Sequence, residues 1–223
     1  MNIAIIGYGK MGHAIEGLAV GRGHRIVATV DNPAEWVAKE EQLRQADVAI
    51  EFSTPATAVD NIRRCWQLGL AVVCGTTGWD NVKAEVEEEC RRGGHTLLAS
   101  SNFSIGMNIM FALNEHLARL MAGRDDYRAS ITETHHIHKL DAPSGTALVL
   151  KGQMGRPDVE ITSIREGEVP GTHTVVYDSP IDTITLSHEA HSRQGLAQGA
   201  LLAAEFLATA RPGVYTMKDV LAG

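Results

Sequence analysis

Asn-Ile-Ala-Ile-Ile-Gly-Tyr-Gly-Lys-Met-Gly, residues 2–12, is the stretch of sequence that decides the fold. The apolar run over 2–6 predicts a buried strand, and a helix is predicted over 13–21 after the glycine-rich turn. A second strand is predicted over 25–30 and ends at Asp31. Strand, Gly-x-Gly-x-x-Gly, helix, strand and acid form the fingerprint of a Rossmann-type dinucleotide-binding fold. The alternative is a tight turn that binds no ligand, which the strand before the motif and the acid after it disfavour.

Each part of the fingerprint has a physical use. The first glycine permits the tight turn, the second lets a pyrophosphate approach the backbone, and the third lets helix and strand pack closely. The carboxylate of Asp31 can accept hydrogen bonds from ribose hydroxyls and repels a 2′-phosphate, and Asn32 follows without an adjacent basic residue. We therefore expect NADH as the preferred cofactor and NADPH as the weaker one. The turn residues predicted to contact the cofactor are Gly7, Tyr8, Gly9, Lys10, Met11 and Gly12.

Strands and helices alternate through the rest of the first half of the chain. Strands are predicted over 47–52, 70–74 and 95–99, and helices over 33–46, 56–68 and 80–92. This alternation predicts a parallel, doubly wound α/β sheet. Ligands bind at the carboxyl ends of the strands in such sheets, so the small and hydroxyl residues Gly75, Thr76 and Thr77 are candidate cofactor contacts.

The pattern changes after about residue 105. A helix is predicted over 109–121 and a strand over 128–135. After a short helix at 145–151, three strands follow at 159–166, 172–178 and 181–188. Successive strands with short turns predict an α+β domain with an open antiparallel or mixed sheet. A helix over 193–209 and the segment 213–221 are predicted to return to the first domain. The resulting domains are 1–105 with 192–223, for dinucleotide binding, and 106–191, for substrate binding and oligomerisation.

Three histidines and a lysine lie within five residues of one another at His135, His136, His138 and Lys139. We expect His135 and Lys139 to share one face, since residues four apart align both in a strand and in a helix. Ser144 is a good N-cap for the helix that follows, and a helix start favours anions. Titratable groups would then lie beside an anion site. A capped surface helix after a histidine-rich loop explains the spacing equally well.

The whole stretch, Glu133-x-His135-His136-x-x-Lys139-x-Asp141-Ala-Pro-Ser-Gly-Thr-Ala147, resembles the signature of the 4-hydroxy-tetrahydrodipicolinate reductase family, also called dihydrodipicolinate reductase. The resemblance implies an NAD(P)H-dependent reductase of diaminopimelate and lysine biosynthesis that acts on a small cyclic dicarboxylate. It implies that His135 is the acid/base and Lys139 the proton donor. It further implies that His136, Gly145 and Thr146 bind the substrate, while His138 has no role.

Other segments resemble the same family. The loop at Gly75 is implied to lie against the nicotinamide, and an Asn-Phe-Ser-x-Gly-x-Asn segment is implied to border the cofactor. Members are typically homotetramers through the second sheet. The stretches after Asp31 and between 151 and 160 are shorter than in many relatives, so we expect altered loops or interfaces there. The remaining cofactor contacts implied are Ser100, Ser101, Asn102 and Phe103.

Three rival functions remain to be weighed. A metal site formed by His135, His136 and His138 is disfavoured, because adjacent histidines rarely converge on one ion, and we expect no metal. Another two-domain nicotinamide enzyme, such as an amino-acid or homoserine-type dehydrogenase, would explain the first domain but not the His-His-x-x-Lys run. A regulator that senses NAD(H) without turnover would not need both His135 and Lys139.

Bulk properties limit the partners and the compartment. The net charge of −7 argues against a nucleic-acid partner. Cys65, Cys74 and Cys90 form no close pair, which favours a reducing cytoplasm over a disulfide framework. The N-terminus has no basic region before its apolar run, so we expect no signal peptide, and no apolar run is long enough to cross a membrane.

Overall fold

The computed structural model describes residues 1–192 and 194–222 of the 223-residue chain. It divides into two compact units, Met1–Ser104 with Leu196–Gly223, and Ile105–Gly195. Arg193, where the predicted helix 193–209 begins, lies outside the described residues, as does Gly223 at the end of the predicted first domain. Among the described residues, none of the helices is both long and apolar enough to span a membrane.

The first unit contains a parallel sheet with helices on both of its faces. Its N-terminal part consists of β1 (Asn2–Ile6), α1 (Lys10–Gly21), β2 (Arg25–Val30), α2 (Pro33–Ala38), α3 (Glu40–Leu43), β3 (Val48–Glu51), α4 (Ala58–Gln67), β4 (Ala71–Cys74), α5 (Asp80–Gly93) and β5 (Thr96–Ala99).

The second unit follows with α6 (Ile105–Met121), β6 (Arg128–His135), α7 (Gly145–Met154), β7 (Glu160–Arg165), β8 (Thr172–Asp178) and β9 (Thr183–Glu189). The chain then returns to the first unit through α8 (Gln194–Leu207), β10 (Gly213–Tyr215) and α9 (Met217–Ala222).

Six parallel strands form the sheet of the first unit in the order β10-β5-β4-β3-β1-β2. Its central strands are apolar on both faces, as expected for a sheet covered on both sides. Alternate residues enter two cores. Ala4 and Ala49 pack on one side with Trp66, while Ile5 and Ile50 pack on the other with residues of α1 and α8. The predicted Rossmann-type α/β fold is confirmed.

The second sheet has the order β7-β6-β8-β9 and is mixed. β6 runs parallel to β7 and antiparallel to β8, and β8 runs antiparallel to β9. Its core joins Ile131, Val175 and Tyr177 of the sheet to methionines and leucines of α6 and α7, including Met110 and Leu150. This matches the predicted α+β unit with a mixed open sheet.

The largest differences from the predicted elements are at their ends. α1 begins at Lys10 rather than His13, because Gly9 already serves as its N-cap and the helix grows directly out of the glycine turn. α6 begins at Ile105, four residues before the prediction. α7 runs to Met154 instead of 151 and ends where Gly155 adopts a left-handed conformation. The single helix predicted over 33–46 is divided into α2 and α3.

Candidate active site

The three glycines of the fingerprint have distinct environments. Gly7 has a φ of +89°, and a Cβ there would lie 2.0 Å from the carbonyl oxygen of Phe52. A Cβ on Gly12 would lie 2.6 Å from the carbonyl oxygen of Gly7. A Cβ on Gly9 would meet no atom within 4 Å. The first and third glycines are therefore required by the protein's own backbone, whereas the second leaves open space where a pyrophosphate could approach.

A cavity of about 440 Å³ opens where β1, β2 and β3 end. Asp31 lies in its wall and is held in place, because its Oδ1 accepts a hydrogen bond from the Tyr8 amide at 2.8 Å. Its own amide donates to the Glu35 carboxylate at 2.7 Å. Further lining residues include Gly7, Gly9, Asn32, Trp36, Thr54 and Arg64.

Arg64 was not among the predicted site residues. Its guanidinium carbon lies 5.5 Å from the centre of the Trp36 ring, within cation–π range. The residue is 33 positions beyond Asp31 in sequence, and only the adjacency of β1 and β3 brings α4 to the same cavity. Because ligands bind at strand ends, the sequence could have placed the start of α4 near the cavity, but it could not have shown that Arg64 lines it.

The loop after β4 is tied to the loop after β3. A Cβ on Gly75 would lie 2.1 Å from the Phe52 ring, so a larger residue there would require that ring to move. The hydroxyl of Thr76 accepts a hydrogen bond from the Ser53 amide at 2.8 Å, whereas Thr77 is exposed. Beneath these loops the buried carboxylate of Glu51 accepts hydrogen bonds from the Ser53 hydroxyl and, at 3.1 Å, from the Cys74 thiol.

The segment after β5 is fixed mainly by its own hydrogen bonds. The Ser100 amide donates to the Cys74 carbonyl at 3.1 Å, and the Ser100 hydroxyl donates to the Asn102 carbonyl at 2.8 Å. Ser101 is exposed, whereas the Phe103 side chain is buried in the core of the first unit. Phe103 therefore supports this segment from within the protein.

The histidine-rich stretch does not adopt either backbone that the sequence argument assumed. β6 ends at His135, and the chain turns over the next three residues, with the Lys139 amide donating to the His136 carbonyl at 3.1 Å. The prediction that residues 135 and 139 align along one strand or one helix was therefore wrong. The two side chains are still near each other, since burial lowers the pKa of His135 and the charge of Lys139 adds to that effect.

His135 is nearly buried and contacts a buried carboxylate. Its Nδ1 lies 2.6 Å from Oε2 of Glu133, which is fully buried. Burial lowers the pKa of His135, and the charge of Glu133 opposes that effect. For Glu133, burial raises the pKa, but hydrogen bonds from Ser163, Ser144 and Arg165 outweigh it and lower the pKa to about 2. The carboxylate is therefore ionised at neutral pH.

His173 is a member of this cluster that the sequence analysis missed. It lies opposite Glu133 in the antiparallel pairing of β6 and β8, and its ring centre lies 5.0 Å from that of His135. Its Nε2 lies 3.2 Å from the Ser144 hydroxyl. Pairing the predicted strands 128–135 and 172–178 would have brought His173 into view, but their register could not be derived from sequence.

The pKa of His173 predicts a loss of stability in acid. Burial, followed by the neighbouring His135, lowers this pKa from 6.5 to about 4. The folded protein therefore favours the neutral ring, and this contribution is complete above pH 6.5 and is lost as pH falls towards 4. We expect the free energy of unfolding to fall by up to about 3 kcal/mol across this window.

Urea unfolding at pH 7.5, 6, 5 and 4.5 measures this loss. His173→Asn should flatten the decline between pH 6.5 and 4.5, whereas His116→Asn, on an exposed surface of α6, should leave it unchanged. The slope is the readout, since the variant can also change the absolute stability. An equal slope in the wild type and His173→Asn would contradict the assignment.

Lys139 and the start of α7 already hold a carboxylate, that of Asp141. The Lys139 ammonium lies 2.7 Å from Asp141 Oδ1. Hydrogen bonding to Lys139 is the main cause that lowers the pKa of Asp141, and the Gly145 amide adds to it. Ser144 caps the helix as predicted, accepting from the Ala147 amide at 3.2 Å, and Gly145 and Thr146 are its first two residues. The arrangement is suited to binding a carboxylate.

The other two histidines of the stretch differ in their surroundings. His136 is half-buried, and its ring centre lies 6.1 Å from that of His138. His138 is exposed and pairs with Glu168 at 3.2 Å. The structure therefore brings His135, Glu133, His173 and Lys139 together and leaves His138 on the surface.

Within the described part of the chain, one group of side chains has spacing compatible with a metal ion. Ligand atoms of Glu133, His135 and His173 lie within 4.8 Å of one another. This trio differs from the three adjacent histidines considered in the sequence analysis. Glu133 is already neutralised by Arg165, whose Nη2 lies 3.0 Å from Oε1, so we interpret the cluster as an ion-pair network.

Comparison with protein families assigns both units. The model described as "Dihydrodipicolinate reductase, N-terminus" matches residues 1–103, and "Dihydrodipicolinate reductase, C-terminus" matches residues 106–221. A 4-hydroxy-tetrahydrodipicolinate reductase from Christiangramia forsetii is 43% identical, covering 99% of this chain and 98% of the relative. One from Methanopyrus kandleri is 38% identical, covering 81% of this chain and 73% of the relative.

Among solved structures, a dipicolinate-bound dihydrodipicolinate reductase from Paenisporosarcina sp. TG-14 aligns with a TM-score of 0.79. It is 21% identical and covers 97% of each chain, so it supports the fold. The family models together span almost all of the sequence, and the full-length relative agrees with them. This chain belongs to the dihydrodipicolinate reductase family.

Proposed function

We propose that this chain reduces 4-hydroxy-tetrahydrodipicolinate to tetrahydrodipicolinate with a reduced nicotinamide dinucleotide, in diaminopimelate and lysine biosynthesis. Its family membership makes it a nicotinamide-dependent oxidoreductase, and the relatives that match it bear the name of this reaction. The observation that carries the proposal is the placement of a Glu133–His135 pair and Lys139 beside a helix start that already accepts a carboxylate.

The first unit is proposed to hold the cofactor, and its residues fit one. The open space at Gly9 and the tight packing at Gly7 and Gly12 suit a pyrophosphate, and Asp31 lines the cavity where the adenosine ribose would bind. When bound, the nicotinamide supplies the hydride. The proposed nicotinamide contacts are Gly75, Thr76 and Thr77. Ser100, Ser101, Asn102 and Phe103 are proposed to border the cofactor.

The second unit is proposed to hold a small cyclic dicarboxylate. Asp141 marks where a carboxylate of the substrate would bind, between the Lys139 ammonium and the amides of Gly145 and Thr146. His136 is assigned to the same ligand. The relative from Paenisporosarcina binds dipicolinate, a planar dicarboxylate, which supports this substrate class. His135 then exchanges a proton at Nε2, Lys139 donates one to the reduced ring, and the 4-hydroxyl of the substrate is lost as water in the overall conversion.

We expect a higher kcat/KM with NADH than with NADPH. The Asp31 carboxylate repels a 2′-phosphate and can bind the ribose hydroxyls, whereas the exposed guanidinium of Arg64 in the same cavity offsets part of the repulsion. Initial rates with both cofactors measure the ratio.

Asp31→Ser should reduce the NADH:NADPH ratio several-fold, mainly by weakening NADH. Arg64→Ala should increase the ratio. Arg63→Ala serves as the matched control, because Arg63 does not line the cavity and its Nε lies 2.9 Å from the Glu89 carboxylate. A wild-type preference for NADPH would refute the assignment of Asp31.

Oxidation of NADH with freshly generated 4-hydroxy-tetrahydrodipicolinate separates this proposal from its rivals. A nucleotide sensor would bind NADH without turnover, and another dehydrogenase would turn over an amino acid instead.

The proposed homotetramer is favoured by exposed apolar residues on and beside the second sheet, namely Ile164, Ile181 and Ile184. Sedimentation measures the mass of the assembly. The three free, buried thiols are compatible with the proposed cytoplasmic location.

A further inference from the structure

We propose that Glu133 is a positioning residue that holds His135 with its proton on Nδ1, so that Nε2 is the atom that exchanges a proton with the substrate. This inference deepens the proposed function and rests on it. The assignment of His135 and Lys139 as catalytic residues leaves the buried carboxylate of Glu133 without a role, and this inference supplies one.

The close contact at Nδ1 indicates which ring nitrogen carries the proton. His135 Nδ1 and Glu133 Oε2 lie 2.6 Å apart, and both are buried without a hydrogen-bond partner, because the contact is not in line with the ring N–H. Two atoms that each present a lone pair would repel at this distance, so a proton on one of them, brought into line by a small rotation of the ring, satisfies both. With its pKa lowered to about 2, Glu133 is ionised, and the proton therefore belongs to the ring nitrogen. In a neutral imidazole the other nitrogen then carries a lone pair.

Glu133 is itself held rigidly, with its two oxygens serving different partners. Oε1 accepts from Arg165 Nη2 at 3.0 Å and from the Ser144 amide at 3.2 Å, which leaves Oε2 for His135. Arg165 is the last residue of β7, and Ser144 is the N-cap of α7. One carboxylate therefore links the proposed acid/base to the helix start that is proposed to hold the substrate.

His173 and Gly171 complete the surroundings of the ring. His173 packs edge-on against His135 and contacts Ser144, which closes the network around the start of α7. A Cβ on Gly171 would lie only 3.1 Å from His135 Nε2, so glycine at this position keeps space beside that nitrogen. The ring is thus restrained at Nδ1 and uncrowded at Nε2.

One proton enters and leaves the ring at Nε2 in each cycle. When Nε2 accepts one, the ring becomes an imidazolium whose charge the Glu133 carboxylate stabilises, and Glu133 remains ionised throughout. The later release of the same proton restores the neutral ring. No proton needs to pass to Glu133.

The test uses ¹⁵N NMR of histidine side chains together with steady-state kinetics of the full-length protein. The wild type should show His135 protonated on Nδ1 and bare on Nε2 at pH 8. In Glu133→Gln the side-chain amide can donate to Nδ1, so the protonated Nδ1 form should lose its dominance. We expect kcat to fall about 100-fold or more, with the Kd for NADH within about twofold of wild type.

Glu168→Gln is the matched control, since Glu168 also contacts a histidine, His138, but in an exposed pair. It should retain wild-type kcat and the wild-type His135 signals. Glu133→Asp keeps the charge on a shorter side chain and should retain the Nδ1 proton; it is the second variant if Glu133→Gln does not fold.

A wild-type His135 protonated on Nε2, or an unchanged tautomer and kcat in Glu133→Gln, would overturn the inference. The NMR measurement needs no substrate. A protein with the expected tautomer but without reductase activity would therefore refute the proposed function while leaving the orientation of His135 established.

Discussion

His135→Gln and Lys139→Ala each lower kcat at least about 100-fold, while the Kd for NADH stays near the wild-type value. The reason is positional: both side chains belong to the second unit, at the cluster around Glu133, and neither lines the cavity of the first unit where Asp31 lies. Loss of either removes proton transfer without removing cofactor contacts. Stopped-flow single turnovers and fluorescence titration with NADH measure the two quantities separately.

His138→Gln provides the control for both variants. It lies in the same stretch but is exposed and pairs with Glu168, so its kcat should equal that of the wild type within about twofold. If His135→Gln or Lys139→Ala instead lost NADH binding and kept turnover at saturation, the catalytic assignments would be wrong. A large effect of His138→Gln would show that the wrong histidine had been chosen.

Gly12→Val abolishes measurable NADH binding at concentrations that saturate the wild type. A Cβ at this position lies 2.6 Å from the Gly7 carbonyl oxygen and 3.3 Å from the Ile5 side chain, so the branched residue pushes α1 away from β1. The glycine turn proposed to hold the pyrophosphate lies between these two elements and is distorted with them. Isothermal titration with NADH measures the loss, and thermal unfolding records any accompanying destabilisation.

Gly17→Val is the matched control on the same helix. A Cβ there meets no atom within 4 Å, so the variant should bind NADH normally and differ only through helix propensity, by less than about 1 kcal/mol. Gly9→Ala separates distortion of the turn from blocking of the ligand. A Cβ there meets no protein atom within 4 Å and yet occupies the proposed pyrophosphate space. Normal NADH affinity in Gly12→Val would contradict the role of the turn.

The parts of the fold that sequence predicted are those set by local chemistry. The first strand, the glycine turn and the second strand were identified because glycine and apolar spacing constrain the backbone directly. Strand spacing predicted an antiparallel or mixed second sheet, and the parallel pairing of β6 with β7 makes it mixed. Helix ends were less accurate, as at α1 and α6, because capping and packing determine them as much as composition does.

The parts that sequence missed depend on contacts between distant residues. His173 enters the cluster through the register of β6 with β8, and Arg64 enters the cavity lined by Asp31 through the order of the strands. Glu133 was quoted in the motif, but its role depends on burial and on Arg165, which is 32 residues away in sequence. The one-face argument for His135 and Lys139 failed because a turn follows β6 directly.

A crystal structure of the protein with NADH and pyridine-2,6-dicarboxylate tests the central claim most directly. The account predicts one carboxylate on the amides of Gly145 and Thr146, with the ring within hydrogen-bond reach of His135 Nε2 and the Lys139 ammonium. The Asp141 carboxylate should have left the helix start. A dicarboxylate bound away from His135 and Lys139 would contradict the account.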